Sequence, residues 1–348
     1  MKKILISVLF MLLFVTGCTS IYVNDCNHST TTTTTTTQGT TTTTKPVAQG
    51  DVKTGLAIIT DITGSADKTA KYVIDIAVVT VDKDGVIVAC KFDTVETSVA
   101  FNENGVITTS KETEILSKHE KGDAYGMVAW GGASAEWYEQ ANSFAAYCVG
   151  KTAEQVANIA VDTNKKPTES DLTSSVTIKV GAYQAAIVKA VANAKDLGAK
   201  STDNLHLAVE ASLENCKDAT SEKDGNAEVY LNAMAVTENN GVITSAALDS
   251  VQAQVAFNAS GVITTDFTKP VQTKQEKGDA YGMVAWGHAI AEWNAQADSF
   301  CEYIKGKTAE QVANIAVDAN TKPTGSDLNT TVTIKIGGYQ ALVAEALK

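Results

Sequence analysis

The sequence predicts an α+β protein made of two tandem copies of a domain, each with an antiparallel β-meander, an amphipathic helix and a C-terminal strand-helix unit. Three observations lead there. Residues 120–130, EKGDAYGMVAW, recur letter for letter as residues 276–286, and residues 150–162 recur as 306–318, both at an offset of 156. Within each copy, β-branched runs broken by Gly turns precede segments of helical period, an α+β order rather than alternating βαβ units. The length of 348 residues suits about two domains of ~150 residues.

The elements follow in order along the first copy. Residues 72–81 are β-branched and apolar, Asp84-Gly85 is a turn, residues 86–92 are a second strand, and Asn104-Gly105 marks a hairpin into Val106 and Ile107. Residues 135–149 put Trp137, Ala141, Phe144, Ala145 and Cys148 on one helical face; the second copy repeats it with Trp293, Ala297, Phe300, Cys301 and Ile304. Residues 152–159 form a short helix, Pro167 interrupts the chain, residues 176–180 alternate as a strand, and Tyr183, Ala186, Ile187, Ala190, Val191 and Ala194 outline a last helix. The offset also carries Gly85 onto Gly241, Phe101 onto Phe257 and Asp171 onto Asp327. The copies therefore run over 53–200 and 201–348, each long enough to fold alone.

Ahead of them, Lys2 and Lys3 precede an apolar run over residues 4–15 that ends in Val15-Thr16-Gly17-Cys18. The run is shorter than the ~20 residues that span a bilayer, and its charged, apolar, small order resembles a bacterial lipoprotein signal with its lipobox. The resemblance implies removal of residues 1–17, lipid on Cys18, and a protein anchored on the extracytoplasmic face of the bacterial membrane and exposed at the cell surface. Residues 18–52 are dominated by threonine and hold too little apolar surface to fold, so they read as a disordered tether.

Composition narrows the function classes. A formal net charge of −12 leaves no basic stripe to neutralise phosphates, which argues against nucleic acid as a partner. The four histidines, His28, His119, His206 and His288, lack ligand spacing, so no His-based metal site is expected. Gly150-Lys151-Thr152 lacks the earlier glycine of a phosphate loop; Thr152 with Gln155 and Thr308 with Gln311 instead make the Thr-x-x-Gln box that caps a helix. No cysteine is shared between the copies, so Cys148 and Cys301 are expected to pack as small apolar groups. No nucleophile elbow, zinc helix or paired nucleophile and histidine is present, so no catalytic residues are assigned.

The polar run before the last helix carries the remaining signal. It reads DLTSSVT over 171–177 and DLNTTVT over 327–333, and the helix after the first ends in AVANA over 190–194. This pattern resembles the end of the FMN-binding domain found in flavin subunits of sodium-pumping NADH:quinone reductase and Rnf complexes and in surface flavolipoproteins. The resemblance implies FMN joined through its phosphate to Thr177 and Thr333 by a flavin transferase, with Asp171, Ser174, Asp327 and Thr330 as the surrounding motif. It implies an electron carrier that takes electrons from a membrane reductase and passes them outward. The family's Gly-Ala is Ser175-Val176 here and Thr331-Val332 in the second copy. Loss of the glycine is expected to restrict the backbone, and the valine to crowd an attached phosphate. A non-redox binding or structural lipoprotein that keeps the fold is the alternative. Trp130 and Trp286 are expected in the core, and Asp123, Glu136, Asp279 and Glu292 as solvated carboxylates.

Overall fold

The first half opens with three antiparallel strands in sequential order, β1 (Lys53–Asp61), β2 (Thr69–Val81) and β3 (Ile87–Ala100). The computed structural model describes residues 51–348; the signal segment, Cys18 and the threonine-rich tract lie outside them. After the sheet come α1 (Lys118–Lys121), a 3₁₀ turn, α2 (Trp137–Cys148), α3 (Ala153–Ala157) and α4 (Gly181–Ala192). The second half follows the same order, with β4 (Asn204–Ser212), β5 (Gly225–Asn239), β6 (Val242–Phe257), α5 (Lys274–Lys277), α7 (Trp293–Ile304), α8 (Ala309–Ala313) and α10 (Gly337–Ala346), and adds the short helices α6 (Met283–Gly287) and α9 (Ser326–Asn329). The architecture is mixed α/β with two three-stranded antiparallel sheets.

Both sheets are covered on both faces. Ala57, Ala77 and Val79 pack under α2 and α4, whereas Ile58, Ile76 and Val78, one residue along, pack against the other sheet. In the second half Met234 and Val236 face α7 and α10, and Leu231, Ala233 and Ala235 face the first sheet. Burial on both sides accounts for the continuous apolar runs of β2 and β5, which in a one-sided sheet would alternate with polar residues. The two inner faces make one core. Phe101 stacks on Phe257 with ring centroids 3.9 Å apart, the Tyr72 hydroxyl donates to the Ala227 carbonyl at 2.8 Å, and Thr54 bonds Ser245 at 2.7 Å. All these residues belong to one compact unit.

The helices carry the expected caps. Thr152 and Thr308 each accept from the third backbone N–H of a short helix while Gln155 and Gln311 reach back to the cap, the reciprocal box of the sequence pattern. Cys148 and Cys301 are buried beneath the sheets.

Residues 176–180 depart from expectation. Val176, Ile178 and Val180 are buried in alternation, but the segment pairs with no strand. Its N–H groups are used otherwise: Val176 donates to the Leu172 carbonyl, Thr177 to the Gln140 side chain, and Val180 to the Lys165 carbonyl. The matching segment, 332–336, is also unpaired, so the expected C-terminal strand-helix unit is an extended lead-in followed by a helix. The meander is also longer than its apolar runs, because β3 continues through Asp93, Thr94 and Glu96 to Ala100, and β1 precedes it. Residues 106–107 add only the single bridge from Phe101 to Ile107.

The turns at Gly105 and Gly261 pack against each other's halves. Both glycines have φ of +67°, and a methyl group on Gly261 would lie 2.3 Å from the Asn102 carbonyl oxygen. Gly261→Ala is expected to destabilise by about 1–3 kcal/mol. Gly241→Ala also has positive φ but nothing within 4 Å, and is expected to cost less; urea melts of the two variants measure the difference.

Candidate functional site

Each threonine of the repeated motif follows a hydrogen-bonded turn and is held from behind by a glutamine of the amphipathic helix. The backbone N–H and hydroxyl of Thr177 donate to Gln140 Oε1 at 2.7 and 3.1 Å, and those of Thr333 donate to Gln296 Oε1 at 2.7 and 3.2 Å. Both glutamines are buried and donate in turn to Ala135 and Ala291 carbonyls, which fixes which end of each amide faces the threonine. Asp171, Ser174, Asp327 and Thr330 are exposed around these turns. The Tyr147 hydroxyl reaches Glu169 and, at 3.5 Å, Asp171.

The residues at the Gly-Ala positions of the motif are Ser175-Val176 and Thr331-Val332. Ser175 and Thr331 are absent from the positive-φ positions, so the backbone takes this turn without glycine. Val176 and Val332 are buried in the core beneath α2 and α7, while Thr177 is exposed and Thr333 half-buried. The valine therefore anchors the turn from below and leaves the neighbouring threonine open.

Thr333 lines a cavity of about 750 Å³. Tyr230, Tyr281, Trp293 and Tyr339 contribute its aromatic wall, and Lys274 reaches it from the start of α5. Lys274 is only 5 % exposed. Its ammonium donates to the Tyr230 hydroxyl at 2.9 Å and lies 4.6, 5.0 and 5.1 Å from the ring centres of Tyr230, Tyr281 and Trp293, within the range where ring quadrupoles attract a cation. Burial pulls its pKa down to about 8, against the partly offsetting Glu228 and Asp249. Lys322, Lys335, Glu210 and Glu214 also line the cavity, and the Asn232 side-chain amide donates to Glu210 at 3.4 Å.

The first half builds the same station with different charges. The offset that carries Lys118 onto Lys274 carries Glu96 onto Gln252 and Thr94 onto Ser250. Strand pairing completes the match: Asp75 and Asn232 sit opposite Thr94 and Ser250, and Val73 and Tyr230 opposite Glu96 and Gln252. Lys118 lies over Tyr125 and Trp137 and forms an ion pair with Glu96 at 3.1 Å. Burial would lower its pKa, but Tyr183, Tyr125 and Glu96 outweigh burial and the net shift is upward. Among the described residues Lys274 has no ion-pair partner.

Asp75 is buried beside this lysine and accepts from the Thr94 hydroxyl at 2.7 Å; burial pushes its pKa up to about 6. The native state then holds a proton that the unfolded chain has released, so this aspartate favours folding less as pH rises from about 4 to 6. Asp75→Asn, which copies Asn232, is expected to raise stability at pH 7 by on the order of 2 kcal/mol and to leave it unchanged at pH 3.5. Chemical denaturation at the two pH values measures this.

The loops after α1 and α5, identical over residues 122–130 and 278–286, correct two further expectations. Trp130 and Trp286 are not core residues but 89 % and 87 % exposed. Glu136 and Glu292 are buried rather than solvated: each accepts from two loop N–H groups, Met127 and Val128 in one half and Met283 and Val284 in the other, at 2.8 and 2.9 Å. Asp123 and Asp279 are exposed, as expected. The carboxylates thus hold the loops that present the indoles.

A second cavity, about 500 Å³, lies between α4 and β6, lined by Lys189, Asn193, Leu248, Asp249 and Cys301 among others. Lys189 and Glu276 form an ion pair at 2.7 Å there. No family model matches the chain, and no curated protein or solved structure matches it either. Among the described residues no helix is long and apolar enough to cross a membrane.

Sequence reasoning singled out the threonines but not the residues around them, Gln140, Gln296, Lys118, Lys274 and Tyr230. A signal existed for four of them. Glu-Trp-x-x-Gln recurs at 136–140 and 292–296, with a glutamine on an otherwise apolar face, and Lys118 and Lys274 occupy the same place in a repeated capping box. Tyr230 has no counterpart in the first half, where Val73 stands, and the repeat gave no reason to single it out.

Proposed function

We propose that this chain is a surface-anchored electron carrier with two FMN-binding-like domains, 53–200 and 201–348, each bearing FMN joined through its phosphate to Thr177 or Thr333. The observation that carries the reading is the convergence of Thr333, four aromatic side chains and a buried cation on one cavity of about 750 Å³, within the ~300–1,000 Å³ range of small-ligand and cofactor sites. The residues suit the group: aromatic walls accept a planar ring, and Lys322 and Lys335 among the lining residues suit a phosphodiester on Thr333. Buried Gln296 fixes the threonine backbone, so a phosphate on Oγ1 would be held at a defined point. Bound flavin supplies reversible electron uptake, and the protein binds and orients it and tunes its charge environment. A flavin transferase and a membrane reductase are the implied partners, with the lipid on Cys18 as the membrane attachment.

Peptide mass spectrometry on the protein isolated from its native membrane tests this. An FMN-sized increment is expected on the peptides containing Thr177 and Thr333. Unmodified peptides from cells that flavinylate other proteins would sink the reading.

One observation favours a non-redox binding lipoprotein instead. Trp130 and Trp286 stand exposed on matching, carboxylate-braced loops, an arrangement that would offer two similar contacts to a multivalent partner. A colourless protein whose partner binding is lost in Trp130→Ala and Trp286→Ala would support that reading.

A further inference from the structure

We infer that the seam between the two halves holds a second ligand site, separate from the Thr333 cavity, for an uncharged aliphatic molecule: a single alkyl chain ending in a neutral polar group such as a hydroxyl. The site is the cavity of about 500 Å³ between α4 and β6, within the ~300–1,000 Å³ range of small-ligand sites, which favour such seams. β1, α4 and residues 195–197 of the first half wall it on one side, and β6, α5 and α7 of the second half on the other. It is independent of flavin at Thr177 or Thr333.

The floor is aliphatic. Leu56, Leu197, Ala246, Ala247, Leu248 and Cys301 line it, and among the described residues no aromatic ring does, in contrast to the Thr333 cavity. A planar ring therefore has no face to stack on, whereas an alkyl chain gains from every methylene it buries. The repeat shows how the room is made. At the offset of 156, Ala246, Ala247 and Leu248 of β6 stand where β3 carries Cys90, Lys91 and Phe92, three successive smaller side chains. On the facing helix the exchange runs the other way, since α7 carries Glu302 and Lys305 where α2 carries Ala146 and Val149. The second half thus removes bulk from the strand and adds charge to the helix.

Those charges already have partners. Lys305 pairs with Glu302, and Lys189 pairs with Glu276 across the seam at 2.7 Å. The Gln275 amide donates to Asp298 at 3.0 Å and to the Leu248 carbonyl at 3.1 Å, the Asn193 amide donates to the Leu56 carbonyl at 2.9 Å, and the Thr54 hydroxyl bonds Ser245. Asp249 accepts from the Ser250 and Gln275 backbone N–H groups. Lys195 is exposed, so water screens its charge. A charged ligand would give up its hydration and find each inner counter-charge engaged, a heavy cost inside a protein. A hydroxyl needs only an acceptor, and the carboxylates of Glu276 and Asp298 keep lone pairs for one.

Isothermal titration calorimetry of 1-decanol, decanoate and decylammonium tests the site on the chain from residue 19 onward, which keeps every described residue and lacks the lipid-attachment cysteine. 1-Decanol is expected to bind at one site, roughly tenfold or more tighter than either charged analogue. Ala247→Phe fills part of the floor and is expected to weaken 1-decanol by roughly tenfold with the thermal midpoint kept. A decanol analogue carrying a diazirine on its chain maps the site without substitution and decides the matter if that midpoint falls: label is expected at Leu56, Leu248 or Cys301. Absence of 1-decanol binding, equal binding of a charged analogue, or label at Tyr230, Tyr281 or Tyr339 of the Thr333 cavity would overturn the inference and leave the flavin reading as it stands. Binding to phosphatidylcholine vesicles without binding of the free alcohol would make a membrane lipid the source of the chain and overturn it as well.

Discussion

Expressed alone, residues 201–348 are expected not to yield a folded monomer. The inner face of their sheet carries Leu231, Ala233, Val251, Val255 and Phe257, all fully buried only because β1, β2 and β3 lie against them. Burying a large apolar side chain is worth about 1.5–3 kcal/mol, so uncovering this face costs on the order of 10 kcal/mol, comparable to the whole stability of an ordinary domain. The polar ties go with it: Tyr72 to Ala227, Thr54 to Ser245 and Ala219 N–H to the Gly105 carbonyl. The expected product is aggregated or self-associated, with the exposed face covered by a second copy. Co-expression with residues 51–200 is expected to restore a soluble complex. Size-exclusion chromatography with far-UV circular dichroism distinguishes these outcomes, and a monomer of 201–348 that unfolds cooperatively would show the inter-sheet core to be dispensable. Phe257→Ala in the full chain tests the same core more gently and should cost about 3–5 kcal/mol.

This core also marks the limit of what the sequence reveals. The repeat exposed the element order, and the helical faces of Trp137, Phe144 and Cys148 and the Thr-x-x-Gln caps were legible because each depends on local spacing. Which sheet face meets what was not legible, because β2 and β5 are apolar on both faces and alternation carries no direction there. The segment 176–180 misled for a related reason. Alternating burial reports which side chains point inward, whereas a strand also needs a neighbour for its N–H groups, and here Gln140 and Lys165 take that place. Trp130 and Trp286 misled because size and apolarity predict burial on average; the buried carboxylates that hold these loops outward are eight and nine residues away from the N–H groups they bind. In the candidate site, the threonines were singled out by motif, but the cavity beside Thr333 is assembled from β4, β5, α5, α6, α7 and α10, a convergence that no single stretch of sequence displays.

On the proposed flavin reading, Thr333→Ala is expected to abolish flavin on the second half completely, and with Thr177→Ala to leave a colourless protein. The effect is all-or-none because the proposed linkage runs through the threonine oxygen, which alanine lacks. Thr333→Ser keeps that oxygen and is expected to keep the flavin. The fold should barely respond to Thr333→Ala: the hydroxyl makes one bond at 3.2 Å to Gln296, worth about 1 kcal/mol, and the backbone N–H bond at 2.7 Å remains. Gln296→Leu behaves in the opposite way. Its Oε1 accepts from the Thr333 N–H, the Thr333 hydroxyl and the Ile334 N–H, so leucine leaves three donors without their acceptor in a buried place, a cost of about 2–4 kcal/mol. The turn then loses the brace that fixes the threonine, and flavin loading is expected to fall although the hydroxyl is present. Absorbance at the flavin band per polypeptide, read beside a denaturation midpoint, separates the two: colour lost with stability kept for Thr333→Ala, both reduced for Gln296→Leu. Full colour in the Thr177→Ala/Thr333→Ala double variant would place any flavin elsewhere and remove the motif threonines from its attachment.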